Sequence, residues 1–108
     1  MQVIHSEEGE AIGKQYLTDV GIIDILAVSK DGKRHLVVEL KLGRTSDVVV
    51  GQSLRYMGFV EEELATDGQT VEGVIIGLEE DKKLQWALRP VPSIRSYRYR
   101  FDFKLLAN

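Results

Sequence analysis

Gly21-Ile-Ile-Asp24-Ile-Leu-Ala-Val-Ser-Lys-Asp31-Gly32-Lys-Arg-His-Leu-Val-Val-Glu39-Leu-Lys41 reads as two strands about a tight turn, and a helix carrying Gln52 follows. Asp31-Gly32 between apolar runs is a strong hairpin signal, because both residues tolerate the positive φ of a type I′ turn. With those two residues as the whole loop, paired positions sum to 63, which sets Asp24 directly opposite Glu39. Directly opposed residues have Cβ atoms about 4.5–5.5 Å apart on one face, where like charges destabilise a sheet. Lys41, two residues beyond Glu39, points to that same face. The other face pairs Ile23, Ile25 and Ala27 with Leu40, Val38 and Leu36 and is wholly apolar. Two carboxylates and one lysine therefore converge on an otherwise hydrophobic hairpin.

A carboxylate pair beside apolar side chains shares a proton, pairs with a cation or binds a metal. Magnesium takes oxygen ligands, often one or two carboxylates with water and phosphate oxygens completing the shell. A lysine beside it can orient a water or steady a phosphate. The plainer alternative is a solvated strand edge on which Lys41 merely neutralises Glu39. A Glu-x-Lys triplet alone is common and does not choose between the two.

Outward from the hairpin, Gly43-Arg-Thr-Ser-Asp47 closes on a helix start, with Asp47 or Ser46 as the capping oxygen. The helix spans 48–65, with Val49, Val50, Ser53, Met57, Val60 and Leu64 on one broad face. Gln52 falls on the shoulder of that face, flanked by Arg55, Tyr56 and Phe59. Upstream, residues 1–12 have no clear period and read as a loose terminus or a helix start. A short strand over 14–18 leads into the hairpin through a turn or bulge at 19–21. Downstream, 66–70 is a turn and 71–78 an apolar strand buried on both faces. Strand, helix and strand in that order favour a parallel, right-handed crossover. A short helix then ends near Arg89, before Pro90 and Pro92, with Trp86 as a packing anchor. From Arg95 to Leu105 the chain alternates strictly. Tyr97, Tyr99, Phe101, Phe103 and Leu105 face the core, and Arg98, Arg100, Asp102 and Lys104 face out. His5 and His35 have no partner at ligand spacing and read as surface or boundary residues.

With 108 residues the chain is one domain, large enough for a core and too small for a second. Without cysteine there is no disulfide and no thiolate metal site, which fits a reducing, cytoplasmic setting. Neither a signal peptide nor a run of membrane-spanning length is present. No Walker-type or dinucleotide glycine pattern and no Ser-His-Asp arrangement appears. Net charge is −3, unlike a dedicated nucleic-acid binder, but it is unevenly spread. Residues 1–80 hold 7 Lys+Arg against 15 Asp+Glu, or −8; residues 81–108 hold 7 against 2, or +5. A basic C-terminal segment suits phosphates while the acidic body suits a metal; a solvated polar face is the alternative.

Asp24, then Glu39-Leu-Lys41 on the next strand, then Gln52 in the following helix resembles the PD-(D/E)XK nuclease superfamily. The wider wording resembles the C-terminal catalytic domain of NucS-like endonucleases. It includes Thr18-Asp-Val-Gly-Ile-Ile-Asp-Ile-Leu-Ala27, Val37-Val-Glu-Leu-Lys41, Gly51-Gln-Ser-Leu-Arg-Tyr-Met57, Val91-Pro-Ser-Ile94 and Tyr97-Arg-Tyr-Arg-Phe-Asp-Phe103. The resemblance implies an α/β, restriction-endonuclease-like mixed sheet with flanking helices, in the order β-β-β-α-β-α-β. It implies a metal-dependent DNA endonuclease of the kind used in DNA repair. Asp24, Glu39 and the Leu40 carbonyl would hold Mg²⁺ or Mn²⁺; Lys41 would act on the water, and Gln52 would position Lys41 or the substrate. Arg44, Arg55, Tyr56, Arg98, Arg100 and Lys104 are the expected DNA contacts. NucS-like enzymes carry a separate domain for dimerisation and DNA binding, so a homodimer and a partner domain or chain supplying DNA recognition are implied. In that family a helix bearing a glutamate precedes the first strand, and the chain begins too late for it. That leaves a fragment, a degenerate member, or an acid supplied by a partner chain. The other function class is a nuclease-like fold kept for nucleic-acid binding or assembly without catalysis.

Overall fold

The computed structural model describes residues 9–41, 43–80, 82–99 and 104–107, with backbone alone for 9–14, 44 and 79–80. Seven strands and two helices follow one another as β1 (Gly9–Thr18), β2 (Gly21–Ser29), β3 (Arg34–Leu40), β4 (Arg44–Thr45), α1 (Val48–Glu63), β5 (Thr70–Gly77), β6 (Glu79–Glu80), α2 (Lys82–Leu88) and β7 (Ile94–Arg98). The main sheet runs β1-β2-β3-β5-β7, and the short β4 and β6 pair apart from it. β1, β2 and β3 are antiparallel neighbours, whereas β3, β5 and β7 are parallel. Apart from the two-residue strands, this is the expected β-β-β-α-β-α-β order in an α/β mixed sheet.

The central hairpin keeps the expected register with a different loop. Ile25 pairs Val38 and Val28 pairs His35, so partners do sum to 63. The connection is nevertheless four residues, Lys30 to Lys33, and within it only Gly32 has positive φ, +72°. A four-residue loop shares its midpoint with a two-residue one, so the register survives the change. Asp31 caps the loop from within: its Oδ1 accepts from Ser29 Oγ at 2.6 Å and from the Lys33 amide at 2.9 Å. Those bonds hold the Asp31 carboxyl below its ordinary range, the Ser29 hydroxyl first.

β1 starts earlier than the sequence suggests. Gly9 to Ala11 pair with β2, and a register shift between Ala11 and Gly13 absorbs the break in periodicity that hid this segment. Helix α1 buries Val49, Val50, Ser53, Tyr56, Met57 and Val60. These pack with Leu26, Val37 and Ile75 of the sheet, and with Ile94 and Leu84, into one core. Burying an aliphatic side chain of this kind is worth about 1.5–3 kcal/mol. Asp47 is the N-cap residue but makes no side-chain cap bond. The first amides instead turn back on the backbone, Val49 to the Ser46 carbonyl at 3.3 Å and Val50 to the Asp47 carbonyl at 3.1 Å. In α2 the anchor is the fully buried Leu84, while Trp86 is 66 % exposed, contrary to expectation. β5 is fully buried only at Gly73, Ile75 and Gly77, on the face toward α1; Val74 and Ile76 are half-buried. No helix among the described residues is long and apolar enough to cross a membrane.

Two residues depart from their expected burial, in opposite directions. His35 is buried, and its Nε2 bonds Gln69 Oε1 at 3.0 Å. Gln69 Nε2 donates on to the Gly32 carbonyl, tying the hairpin loop to the turn before β5. Tyr97 is 50 % exposed, whereas Ile94 on the alternate face is in the core, so the last strand presents the opposite face from the one its aromatics suggest. The strand ends at Arg98; residues 100–103 lie outside the described residues, and 104–107 are irregular and exposed. His5 also lies outside the described residues.

Gly21 joins β1 to β2 at φ +135°, and a Cβ there would lie 2.6 Å from Tyr56 Oη. Gly68 has φ +84° with open space around it. Gly68→Ala is therefore expected to cost about 1 kcal/mol. Gly21→Ala, which adds a clash to the strain, should cost clearly more, about 2–4 kcal/mol. Urea denaturation of both variants checks the ranking, and equal costs would contradict it.

Candidate metal and phosphate site

The regular β2–β3 ladder ends at Ile25 and Val38. The next opposed pair in that register is Asp24 and Glu39. Here a side chain takes over from the backbone: the Leu40 amide donates to Asp24 Oδ2 at 2.8 Å. The ladder with β1 is disturbed at the same level. Gln15 falls opposite Asp24 in the β1–β2 register and has φ +50°, outside the extended region of a strand. Asp24 thus sits where both neighbouring ladders loosen, which frees its carboxylate to reach across to β3.

Glu39 is 2 % exposed, and its Oε1 has no hydrogen-bond partner. Its carboxyl is pushed up to about 7, first by burial and then by the nearby Asp24 charge; Lys41 and the Asp24 amide pull weakly the other way. The pair behaves as physics requires of two close carboxyls in a low-dielectric place: one of them resists ionising. Among the described residues no group of three or more His, Cys, Asp or Glu stands together. The donor set is thus two carboxylates plus the Leu40 carbonyl, which leaves its strand on the same edge as the Leu40 amide. Such an oxygen-only set, with an orphaned buried carboxylate oxygen, fits a hard divalent cation that keeps water or phosphate oxygens in its shell.

Lys41 follows immediately. Its Nζ donates to Gln52 Oε1 at 3.3 Å, and Gln52 Nε2 donates to Tyr56 Oη at 3.2 Å. Tyr56 is 4 % exposed, with its ring in the core. It therefore presents little surface to the DNA it was expected to contact. It is instead the far end of a relay that holds Gln52 and, through it, Lys41. The i, i+4 spacing of Gln52 and Tyr56 was the signal for this, since such residues are neighbours on a helix surface. On the other side Tyr99 Oη donates to the Lys41 carbonyl at 3.4 Å.

The expected cations do not form one group. Arg98 ends β7 opposite Gly77, whose neighbour in β3 is the Lys41 level. That puts Arg98 in the Lys41 row, two strands away, or about 10 Å. It is exposed and lines an open pocket of about 620 Å³ with Leu78, Ser96, Tyr97 and Tyr99, along the β7 edge rather than at the carboxylates. Arg55 is exposed on α1, one turn beyond Gln52. Lys104 lies in the irregular segment after the strand, so the alternation that aligned it with Arg98 does not hold. Of Arg44 only the backbone, in β4, is described, and Arg100 lies outside the described residues.

Asp24, Glu39, Lys41, Gln52 and Arg98 all stand toward the C-terminal ends of the parallel strands β3, β5 and β7. Open α/β sheets bind ligands at such an edge. Helix α1 begins at this edge, because Gln52 in its second turn meets Lys41.

Known proteins bear on this arrangement. The fold is similar to a repair endonuclease from Pyrococcus abyssi, at 24% identity and TM-score 0.69, over 89% of this chain and 39% of that one. It is also similar to EndoMS in a complex with dsDNA (20% identity, TM-score 0.72, 90% of this chain and 38% of that one). EndoMS in its apo form gives 22% identity and TM-score 0.67 over 94% and 42%. The chain thus spans about two-fifths of the length of these solved proteins, and at such identities the likeness speaks for the fold. No curated protein matches. Residues 2–85, which contain the hairpin, the carboxylate pair and α1, match the endonuclease NucS C-terminal domain. On that match, over most of its length, the chain belongs to the endonuclease NucS C-terminal domain family.

Proposed function

We propose that this domain hydrolyses phosphodiester bonds in DNA with a divalent cation held by Asp24, Glu39 and the Leu40 carbonyl. The observation that carries the reading is the buried, orphaned Glu39 Oε1 beside Asp24, with Lys41 in the adjacent register position. A buried carboxyl with a free oxygen is compensated by its own proton or by a cation, and a divalent ion between Asp24 and Glu39 would take the proton's place. Mg²⁺ or Mn²⁺ bound there supplies Lewis acidity, spreading charge from the phosphate and lowering the pKa of a bound water. Zinc is disfavoured, because no thiolate or imidazole is in the set.

The chain's own groups do the rest. Asp24 is oriented by the Leu40 amide, which engages its Oδ2 alone. Lys41 places a positive charge beside the reacting phosphate or water, and Gln52 with Tyr56 limits its freedom. Arg98, in the same row, meets a phosphate further along the backbone. DNA as the substrate class is supported by EndoMS, which has been seen with dsDNA, and by family membership.

The first test is cleavage in Mn²⁺ and in Mg²⁺ alongside DNA binding. Lys41→Ala and Glu39→Gln are each expected to lower the cleavage rate at least about 100-fold, with most DNA affinity intact for Lys41→Ala. Arg98→Ala should instead weaken binding and flatten its logarithmic salt slope by about 0.9. Full activity in Lys41→Ala would remove this mechanism.

The second test needs no substrate. Without metal, the folded Glu39 carboxyl keeps its proton to about pH 7, whereas the unfolded chain releases it near its ordinary 4.5. The folded state binds more protons in that window, so this group withdraws stability as pH rises from 4.5 to 7 and none beyond. The loss is at most about 3 kcal/mol. Denaturation in EDTA should show the difference between wild type and Glu39→Gln changing across that window; a flat difference would contradict the burial argument.

A further inference from the structure

The buried side-chain atoms without a hydrogen-bond partner among the described residues are His35 Nδ1, Glu39 Oε1, Thr45 Oγ1 and Ser53 Oγ. A buried polar group left unpaired is destabilising. Complementary orphans at one place therefore call for each other. Glu39 Oε1 accepts, and the Ser53 hydroxyl donates.

Their levels in the fold coincide. Helix α1 starts beside Lys41, at the C-terminal ends of the parallel strands, and ends before the turn into β5. It therefore runs opposite to β5. Met57 lies on Gly73, where an added Cβ would be 2.9 Å from Met57 Sδ. Ser53 precedes Met57 by four residues on the same buried stripe, about 6 Å along the helix axis. Two residues of strand advance about 6.6 Å. Ser53 thus stands over Ile75, and Ile75 is the register partner of Glu39. The other orphans lie elsewhere. Thr45 packs against Gly77, one step beyond, and His35 sits at the far end of β3 with Gln69.

We propose that Ser53 is a positioning residue for Glu39: its hydroxyl donates through one bridging water to Glu39 Oε1 and fixes the carboxylate's orientation toward Asp24. Consecutive residues of α1 then serve both ends of Glu39-Leu40-Lys41, with Gln52 holding the lysine and Ser53 the glutamate. Gln52 is half-buried and Ser53 is 1 % exposed, as a grip on the mouth and on the floor of one site requires. The consequence for metal binding rests on the nuclease reading above; the contact itself does not.

A double-mutant cycle without metal tests the contact. Ser53→Ala is expected to lower the urea midpoint in wild type, yet to leave it unchanged or raise it in a Glu39→Met background, where no acceptor remains. The same shift in both backgrounds, or a rise in both, overturns the proposal. Mn²⁺ titration followed by electron paramagnetic resonance tests the positioning role. Ser53→Ala should weaken the ion about tenfold, and Ser53→Thr, which keeps the hydroxyl, should restore it. Unchanged Mn²⁺ affinity in Ser53→Ala overturns the positioning role. Failure of the wild type itself to bind Mn²⁺ would remove the metal reading instead, and the cycle would still decide the contact.

Discussion

The bond from the Leu40 amide to Asp24 Oδ2 is the interaction on which the rest of the site depends. It lies where the β2–β3 ladder stops, and it substitutes a side-chain carboxylate for the backbone carbonyl that a continued ladder would offer. That substitution keeps the two strands together at their open end and leaves one Asp24 oxygen unengaged by it. It also commits Glu39 to the interior. Burial first, and then the charge of an Asp24 tied to β3 and unable to move away, push the Glu39 carboxyl up to about 7. An acid pair at a strand edge would simply swing into water. This one is held by the backbone it terminates.

Sequence reasoning reached the register but not the loop, for a definite reason. Asp31-Gly32 marked the centre of the turn, and both a two-residue and a four-residue loop share that centre, so the pairing of apolar positions chose the register in either case. The hydrophobic period likewise located α1 and its buried stripe. What periodicity cannot see is where a strand is interrupted or which way it faces. Gly9 to Ala11 were missed because the register shift after Ala11 breaks alternation within one strand. The alternation of aromatic and charged residues from Tyr97 onward points Tyr97 at the core, yet Tyr97 is half exposed. The core is in fact anchored by Ile94, two residues earlier on the face of Ser96, and Gly73 makes room for it.

The candidate site divides along the same line. Asp24, Glu39 and Lys41 were legible because a register converts sequence distance into spatial opposition. The helix residues were harder, since a shoulder position does not say which neighbour it meets. Tyr56 was assigned to the surface on chemical type, and its burial could be known only once α1 was laid over Gly21 and the sheet. Gly21 and Tyr56 constrain each other: the glycine leaves space for the hydroxyl, and the hydroxyl supports Gln52.

The acidic body and the placement of cations follow from one electrostatic requirement. A buried carboxylate pair cannot be neutralised by lysines packed around it without closing the site to a substrate. Here a single lysine stands at its mouth and is turned aside by Gln52, at 3.3 Å, instead of closing on the acids. Helix α1 begins at the same edge, and its N-cap residue Asp47 makes no side-chain bond to the first amides. Arg98 lies two strands further on, close enough to meet a second phosphate and too far to pair with Glu39. In the proposed reading, the charge missing from the centre is what a bound cation supplies. Among the described residues, Lys41 is held by a polar group and Arg98 stands at a distance, which leaves that place free.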